Sequence, residues 1–163
     1  MNKMQFQFIM LLAILTVSTV FAQSPWSITV LNEPFHVGDT VIKTMNHPQP
    51  QGGILQRDFV LPDAIPPSFL YVALWISDMI PKNHPGLKNG LYRDELQING
   101  QIVGLLNKKI DPPEGPEVKK VIVQIAGSLV KSGTNTLSIT AGAAGGNLDD
   151  FEVQKIEIIK ERP

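Results

Sequence analysis

Residues 94–106, DELQINGQIVGLL, hold the strongest local folding signal in the chain. A two-residue turn between antiparallel strands needs positive φ at both central residues, and Asn-Gly tolerates that backbone best. Asn99-Gly100 lies between apolar positions on both sides. The sequence therefore predicts a β-hairpin whose strands cover residues 96–98 and 101–106.

The rest of the chain continues this pattern in short runs rich in β-branched and aromatic residues, bounded by Gly and Pro. No stretch of ten residues has a sustained 3.6-residue apolar period, and only residues 125–130 suit a single helical turn. Residues 69–77 are apolar on both faces, so we expect a central strand with Trp75 in the core. Besides the hairpin, the predicted strands lie at residues 27–31, 40–44, 54–61, 69–77, 118–125, 135–141 and 151–159.

Strands without helices restrict the architecture. A parallel sheet needs helices over its faces, and helix signals are nearly absent from this sequence. Two antiparallel sheets packed face to face bury one side of every strand. We therefore predict an all-β fold, an antiparallel β-sandwich of about eight strands.

Residues 1–22 differ from the rest of the chain. Lys3 is followed by an apolar run at residues 8–21, FIMLLAILTVSTVF, and the small residues Val20 and Ala22 suit signal-peptidase cleavage. The alternative is an N-terminal membrane anchor, but this run is shorter than the roughly 18–20 residues that span a bilayer. We expect a signal peptide, export to the periplasm or the outside, and a single domain over residues 23–163 with no membrane span.

Composition excludes several kinds of chemistry. The 163 residues include 14 Lys+Arg, 15 Asp+Glu and no Cys. Without Cys there is no disulfide, thiol nucleophile or Cys-bound metal. Near-neutral charge and few candidates for exposed aromatic residues argue against a nucleic-acid partner.

Three motifs follow one another in the second half of the chain. The hairpin turn is followed by LVKSGTNTLSI at residues 129–139, and DDFEV at 149–153 begins the last predicted strand. In this order they resemble the galactose-binding-like jelly-roll superfamily, which includes many carbohydrate-binding modules. The resemblance covers roughly residues 69–159. It implies a jelly roll that binds carbohydrate, and its motifs specify the fold more than the ligand.

The connection at residues 79–93, MIPKNHPGLKNGLYR, is longer than most loops of compact domains, and such loops are often functional. Planar hydrogen-bonding groups and aromatic rings are the side chains that bind sugars. For Tyr92 the alternative is that its ring packs the loop against the domain. The ligand-binding residues that we predict are Asp78, His84, Tyr92, Arg93, Asp94 and Asn147.

The acidic pair Asp149-Asp150 follows the glycine-rich residues 142–146 and forms a candidate metal site. Carboxylate and backbone carbonyl oxygens are the ligands that calcium prefers. Some members of the superfamily that the chain resembles carry a structural calcium. The alternative is a solubilising acidic turn at the edge of a sheet.

Histidine offers little support for catalysis. His36, His47 and His84 each lie beside turn residues, and we expect them in solvated loops. The sequence has no G-x-S-x-G motif that would support a nucleophilic triad.

We therefore predict a secreted or periplasmic, non-catalytic binding module, with carbohydrate or polysaccharide as the favoured ligand. One alternative is a structural or assembly domain that contacts another exported protein. The other is a small glycan-active hydrolase or lyase that uses the acidic residues near the loops. Neighbouring carboxylates on a strand point to opposite faces, so no acidic pair alone forms such a centre.

Overall fold

The computed structural model describes residues 26–62, 68–142 and 148–160. Short β-strands and Gly/Pro-containing turns dominate these ranges, as the sequence pattern predicts. Among them, none of the helices has the length and apolar character that a membrane crossing requires. The strands are β1 Ser27–Leu31, β2 Phe35–Val37, β3 Ile54–Leu61, β4 Phe69–Ser77, β5 Glu95–Ile98, β6 Gln101–Leu105, β7 Lys119–Ala126, β8 Gly133–Thr140 and β9 Phe151–Ile159.

The strands form two antiparallel sheets, which confirms the predicted β-sandwich. One sheet has the order β1-β9-β4-β7, with β2 also paired to β9, and the other has the order β3-β8-β5-β6. Alternate residues of each strand face the space between the sheets and build one apolar core. In β4, for example, Leu70, Val72, Leu74 and Ile76 are core residues.

The strand registers place four connections at one end of the sandwich. In the first sheet Val37 pairs with Phe151, and Ser77 pairs with Glu152. In the second sheet Glu95 pairs with both Leu105 and Thr140. The connections β2–β3, β4–β5, β6–β7 and β8–β9 all leave from these paired ends, so they meet at one end of the domain.

Several details of the sequence prediction are confirmed. The hairpin forms at Asn99 and Gly100, whose φ angles of 50° and 78° are both positive. Strand β4 lies between β9 and β7 and is therefore central. The helical turn predicted within residues 125–130 is a 3₁₀ helix at Gly127–Leu129.

Other details are wrong. Residues 40–44 are a loop, and the strand in this region is β2, Phe35–Val37. Trp75 is half-buried on the outer face of its sheet, between the side chains of Lys120 and Lys155, because its neighbours on both sides in the strand face the core.

The predicted signal peptide, residues 1–22, lies outside the described residues. The same holds for Asn147 and for most of the glycine-rich run before it. The expectations for these residues stay predictions.

Candidate functional site

A pocket of about 450 Å³ opens between the 79–93 loop and the end of β6. Two leucines supply apolar wall, and four cationic side chains surround them. No acidic side chain is among the described residues that line it. The residues that form this basic pocket are Lys82, Leu87, Lys88, Arg93, Leu105 and Lys108, with Gly90 and Asn107 completing the lining.

The 79–93 loop is folded on itself, and its predicted sugar-binding ring has a structural task. A short helix, α1 at Pro85–Lys88, begins after His84, whose Nδ1 accepts a hydrogen bond from the Gly86 N–H at 3.1 Å. The ring of Tyr92 meets the His84 ring edge-on, with 5.4 Å between centroids. A Cβ added to Gly86 would lie 2.8 Å from Tyr92 Cε2. Tyr92 and His84 therefore pack the loop, and neither residue lines the pocket.

A buried polar cluster supports the pocket from behind. Asn107 Nδ2 donates to Asp94 Oδ2 at 2.6 Å, to Asp149 Oδ2 at 3.3 Å and to the Ile80 carbonyl at 3.1 Å. The backbone N–H of Asp94 donates to Asn107 Oδ1 at 2.8 Å. The backbone N–H of Ile80 donates to Asp149 Oδ2 at 3.1 Å. These bonds tie the start of β5, the end of β6, the 79–93 loop and the segment before β9 to one another.

Both carboxyl groups of this cluster have a raised pKa. The pKa of Asp94 is raised to about 10. Burial is the largest cause, and the hydrogen bond and the charge of the neighbouring Asp149 also contribute to the rise. Burial also raises the pKa of Asp149, while the hydrogen bond to Asp94 opposes that rise. Asp94 therefore keeps its proton at neutral pH. Two negative charges this close together in a buried site would repel each other strongly.

The cations of the basic pocket differ in their counter-charges. Lys82 pairs with the exposed carboxylate of Asp111, and Arg93 Nη2 lies 3.6 Å from Glu95 Oε1. Within the described ranges, Lys88 and Lys108 have no ion pair. The pocket thus keeps an excess of positive charge.

Asp150 faces away from Asp149 and serves another loop. Its Oδ1 accepts from the backbone N–H groups of Asp39 and Thr40, both at 2.9 Å, and lies 3.3 Å from His36 Nε2. His36 is buried in β2, and its Nδ1 lies 3.1 Å from the His47 carbonyl oxygen. The expectation of a solvated loop histidine is therefore wrong for His36, because β2 pairs with β9 and places its ring beneath the β2–β3 loop.

Asp78 lies at the end of β4 with a φ of 62°, and its N–H donates to the Gly115 carbonyl at 2.8 Å. Its Oδ2 is a buried atom without a hydrogen-bond partner. Burial raises the pKa of Asp78, and the nearby Glu152 carboxylate adds to the rise. Asp78 is not among the residues that line the basic pocket.

The structure does not gather the predicted metal ligands. Among residues 26–62, 68–142 and 148–160, no group of three or more His, Asp or Glu side chains is placed to hold a metal ion. Asp149 and Asp150 point to different partners, as neighbouring residues of an extended chain do. Calcium at this position stays a prediction, since the backbone of residues 143–147 lies outside the described ranges.

Of the predicted ligand-binding residues, Arg93 lines the pocket and Asp94 lies behind it. The sequence interpretation missed Lys82, Lys88 and Lys108, because a lysine in a loop is most often solvated. A usable signal was present: three cations occur in the 82–93 stretch, and Lys108 follows the hairpin by a few residues. Their convergence depends on the folded path of the 79–93 loop.

No protein-family model and no curated protein match the chain. Solved structures that are similar include the CBM36-1 domain of a multidomain xylanase from the hindgut metagenome of Trinervitermes trinervoides, with 12% identity and a TM-score of 0.44, covering 86% of this chain and 99% of that one. A family 35 carbohydrate-binding module from Clostridium thermocellum has 10% identity and a TM-score of 0.42, covering 85% and 100%.

A β-porphyranase of glycoside hydrolase family 86 from the human gut bacterium Bacteroides plebeius has 14% identity and a TM-score of 0.44. That match covers 85% of this chain and 21% of the enzyme. The likenesses are distant, and no functional residue is carried over from them.

Proposed function

We propose that this chain is a non-catalytic carbohydrate-binding module and that the basic pocket is its binding site. The observation that carries the proposal is the pocket itself, with a volume of about 450 Å³. Pockets that bind small molecules commonly measure about 300–1,000 Å³ and combine apolar wall with a few polar groups.

The lining suits a sugar in two respects. Leu87 and Leu105 offer apolar surface to the C–H groups of a sugar ring, and the ends of Lys82, Lys88, Arg93 and Lys108 offer hydrogen-bond donors to its oxygens. The motifs in the second half of the chain, which resemble those of sugar-binding jelly rolls, add separate support.

The acidic residues behind the pocket support binding over hydrolysis. Glycoside hydrolysis needs two carboxyl groups that reach the sugar from both sides of the scissile bond. Asp94 and Asp149 are buried, and Asn107 donates to both of them. These buried carboxyl groups stabilise the loops through Asn107, and a substrate in the pocket does not contact them.

Export is part of the proposal. The pattern of residues 1–22 supports a periplasmic or extracellular location. Extracellular polysaccharides are available to a binding module there.

The test is a glycan panel that contains neutral and acidic polysaccharides, read by affinity electrophoresis. Leu105→Trp places a large ring in the pocket, so we expect it to abolish the binding that the unaltered chain shows. Ile102→Trp is the matched control, because it adds the same ring to the same strand at a position that is 59% exposed. Equal binding by both variants, or no binding by the folded unaltered chain across the panel, would contradict the proposal.

A further inference from the structure

Positive charge is concentrated at the basic pocket. The chain has a formal net charge of −1, with 14 Lys+Arg against 15 Asp+Glu. Nevertheless four of these cations, Lys82, Lys88, Arg93 and Lys108, line one pocket that no described acidic residue lines. An even distribution of charge would place about as many carboxylates there.

The carboxylates near the pocket neutralise only part of this charge. Asp111 pairs with Lys82, and Glu95 lies 3.6 Å from Arg93. Behind the lining, the raised pKa of the buried Asp94 keeps that group protonated at neutral pH, so it adds no negative charge. Lys88 and Lys108 stay without an ion pair among the described residues. All four cations line the pocket, whereas no described carboxylate does.

The types of cation favour an oxyanion. An arginine guanidinium presents a planar fork that matches a carboxylate or a sulfate, and lysine ammonium groups add point charges that adapt to its position. Charge-assisted hydrogen bonds of this kind are stronger than those to neutral hydroxyl groups. The side chain of Arg93 is 57% exposed, so it reaches a ligand without first being uncovered.

We infer that the basic pocket selects an acidic glycan, in which a carboxylate or sulfate group of the sugar lies among Lys88, Arg93 and Lys108. This inference rests on the proposed function, because it names the class of carbohydrate that the same pocket binds. The leucine walls contact the sugar ring, while the cations recognise its charge.

The experiment compares pairs of polysaccharides that differ in charge. Polygalacturonate and its methyl-esterified form share one sugar backbone, and esterification removes the negative charge. Dextran sulfate and dextran form the second pair and separate sulfate from carboxylate. We expect the unaltered full chain to bind at least one charged member at least tenfold more tightly than its neutral partner.

Two double variants locate the effect. Lys88→Gln with Lys108→Gln removes two charges from the pocket, and we expect its affinity for the charged polysaccharide to fall about tenfold or more, since charged hydrogen bonds are lost. Lys43→Gln with Lys131→Gln is the matched control, because both side chains are exposed and neither lines the pocket. The control variant should bind within about twofold of the unaltered chain, since it loses only long-range attraction.

The outcomes separate the inference from the proposed function. If the charged and neutral polysaccharides of a pair bind equally well, and Leu105→Trp blocks both, the inference is overturned and the proposed function stays in place. Equal losses in the two double variants would mean general attraction to a polyanion and would also overturn the inference. Binding of no polysaccharide by the folded chain would contradict both.

Discussion

Asp94 is a buried carboxylic acid whose pKa lies far above its ordinary value. It is buried, it keeps a proton at neutral pH, and it is hydrogen-bonded to Asn107 through both its backbone and its side chain. Asn107 also lines the basic pocket. The protonation of one carboxyl group is therefore coupled to the wall of the candidate site.

This coupling has a defined pH dependence. The pKa of Asp94 is raised from 3.8 to about 10 on folding, so the folded protein holds a proton that the unfolded chain releases. The contribution of Asp94 to stability is complete below about pH 3.8 and is lost as the pH rises toward 10. An asparagine in its place keeps a donor toward Asp149 and does not ionise.

We predict that Asp94→Asn flattens the fall in stability with rising pH. Urea unfolding at pH 5, 7 and 9 measures the difference between the variant and the unaltered chain. For one proton that difference changes in favour of the variant by up to about 1.4 kcal/mol per pH unit. The exposed Glu33→Gln is the control, and parallel stability curves for Asp94→Asn and the unaltered chain would contradict the prediction.

Sequence alone identifies only some of the residues that line the candidate site. Arg93 was predicted because it combines planar donors with a place in a long loop, and it does line the pocket. The lysines were missed because their convergence arises from the path of the loop. Trp75 was misplaced in the core, although the two-residue period of β4 puts it on the face opposite Leu74 and Ile76.

At the scale of elements, the hairpin was predictable because its cause is local. Positive φ at Asn99 and Gly100 is a property of those two residues, and it fixes the pairing of β5 with β6. A β-bulge between Leu96 and Gln97 then shifts the register by one residue, which places Leu105 opposite Glu95. The turn and the bulge together thus set one wall of the pocket, and only the turn was predictable from the sequence.

The β2–β3 loop was not predictable, because its cause is distant in sequence. Residues 40–44 have β-branched side chains, which favour a strand when considered alone. In the fold, Asp150 accepts from the N–H groups of Asp39 and Thr40, and Glu152 Oε1 accepts from the His47 N–H at 2.7 Å. These contacts join residues more than 100 positions apart and override the local preference.

The close approach of two connections gives a prediction at this scale. A Cβ on Gly142 would lie 2.5 Å from the carbonyl oxygen of Arg93, whereas a Cβ on Gly104 meets no atom within 4 Å. We predict that Gly142→Ala displaces the Arg93 backbone, destabilises the protein by about 1–3 kcal/mol and weakens ligand binding. Gly104→Ala should leave both nearly unchanged.

Urea unfolding and polysaccharide affinity measure these two effects. The two variants add the same methyl group, and neither native glycine has a left-handed φ. Equal unfolding free energies for Gly142→Ala and Gly104→Ala would show that the β8–β9 connection yields at no cost, contrary to the prediction.

At the scale of the whole molecule, the sandwich separates the apolar core from the candidate site. The two sheets enclose the apolar core. At one end, buried bonds among Asp94, Asn107 and Asp149 hold three of the connections together, and Asp150 holds the β2–β3 loop through the N–H groups of Asp39 and Thr40. Loops that rest on such a frame are free to vary in their exposed side chains. The near-neutral charge of the chain conceals the cationic pocket that these loops form.

The most direct test of this account is an NMR titration of the ¹⁵N-labelled chain with an oligogalacturonate. We predict that the largest amide shift changes occur at Lys82, Lys88, Arg93 and Lys108, around the basic pocket. Saturating changes confined to the outer sheet face around Trp75, Lys120 and Lys155, with the pocket amides unmoved, would contradict the central claim.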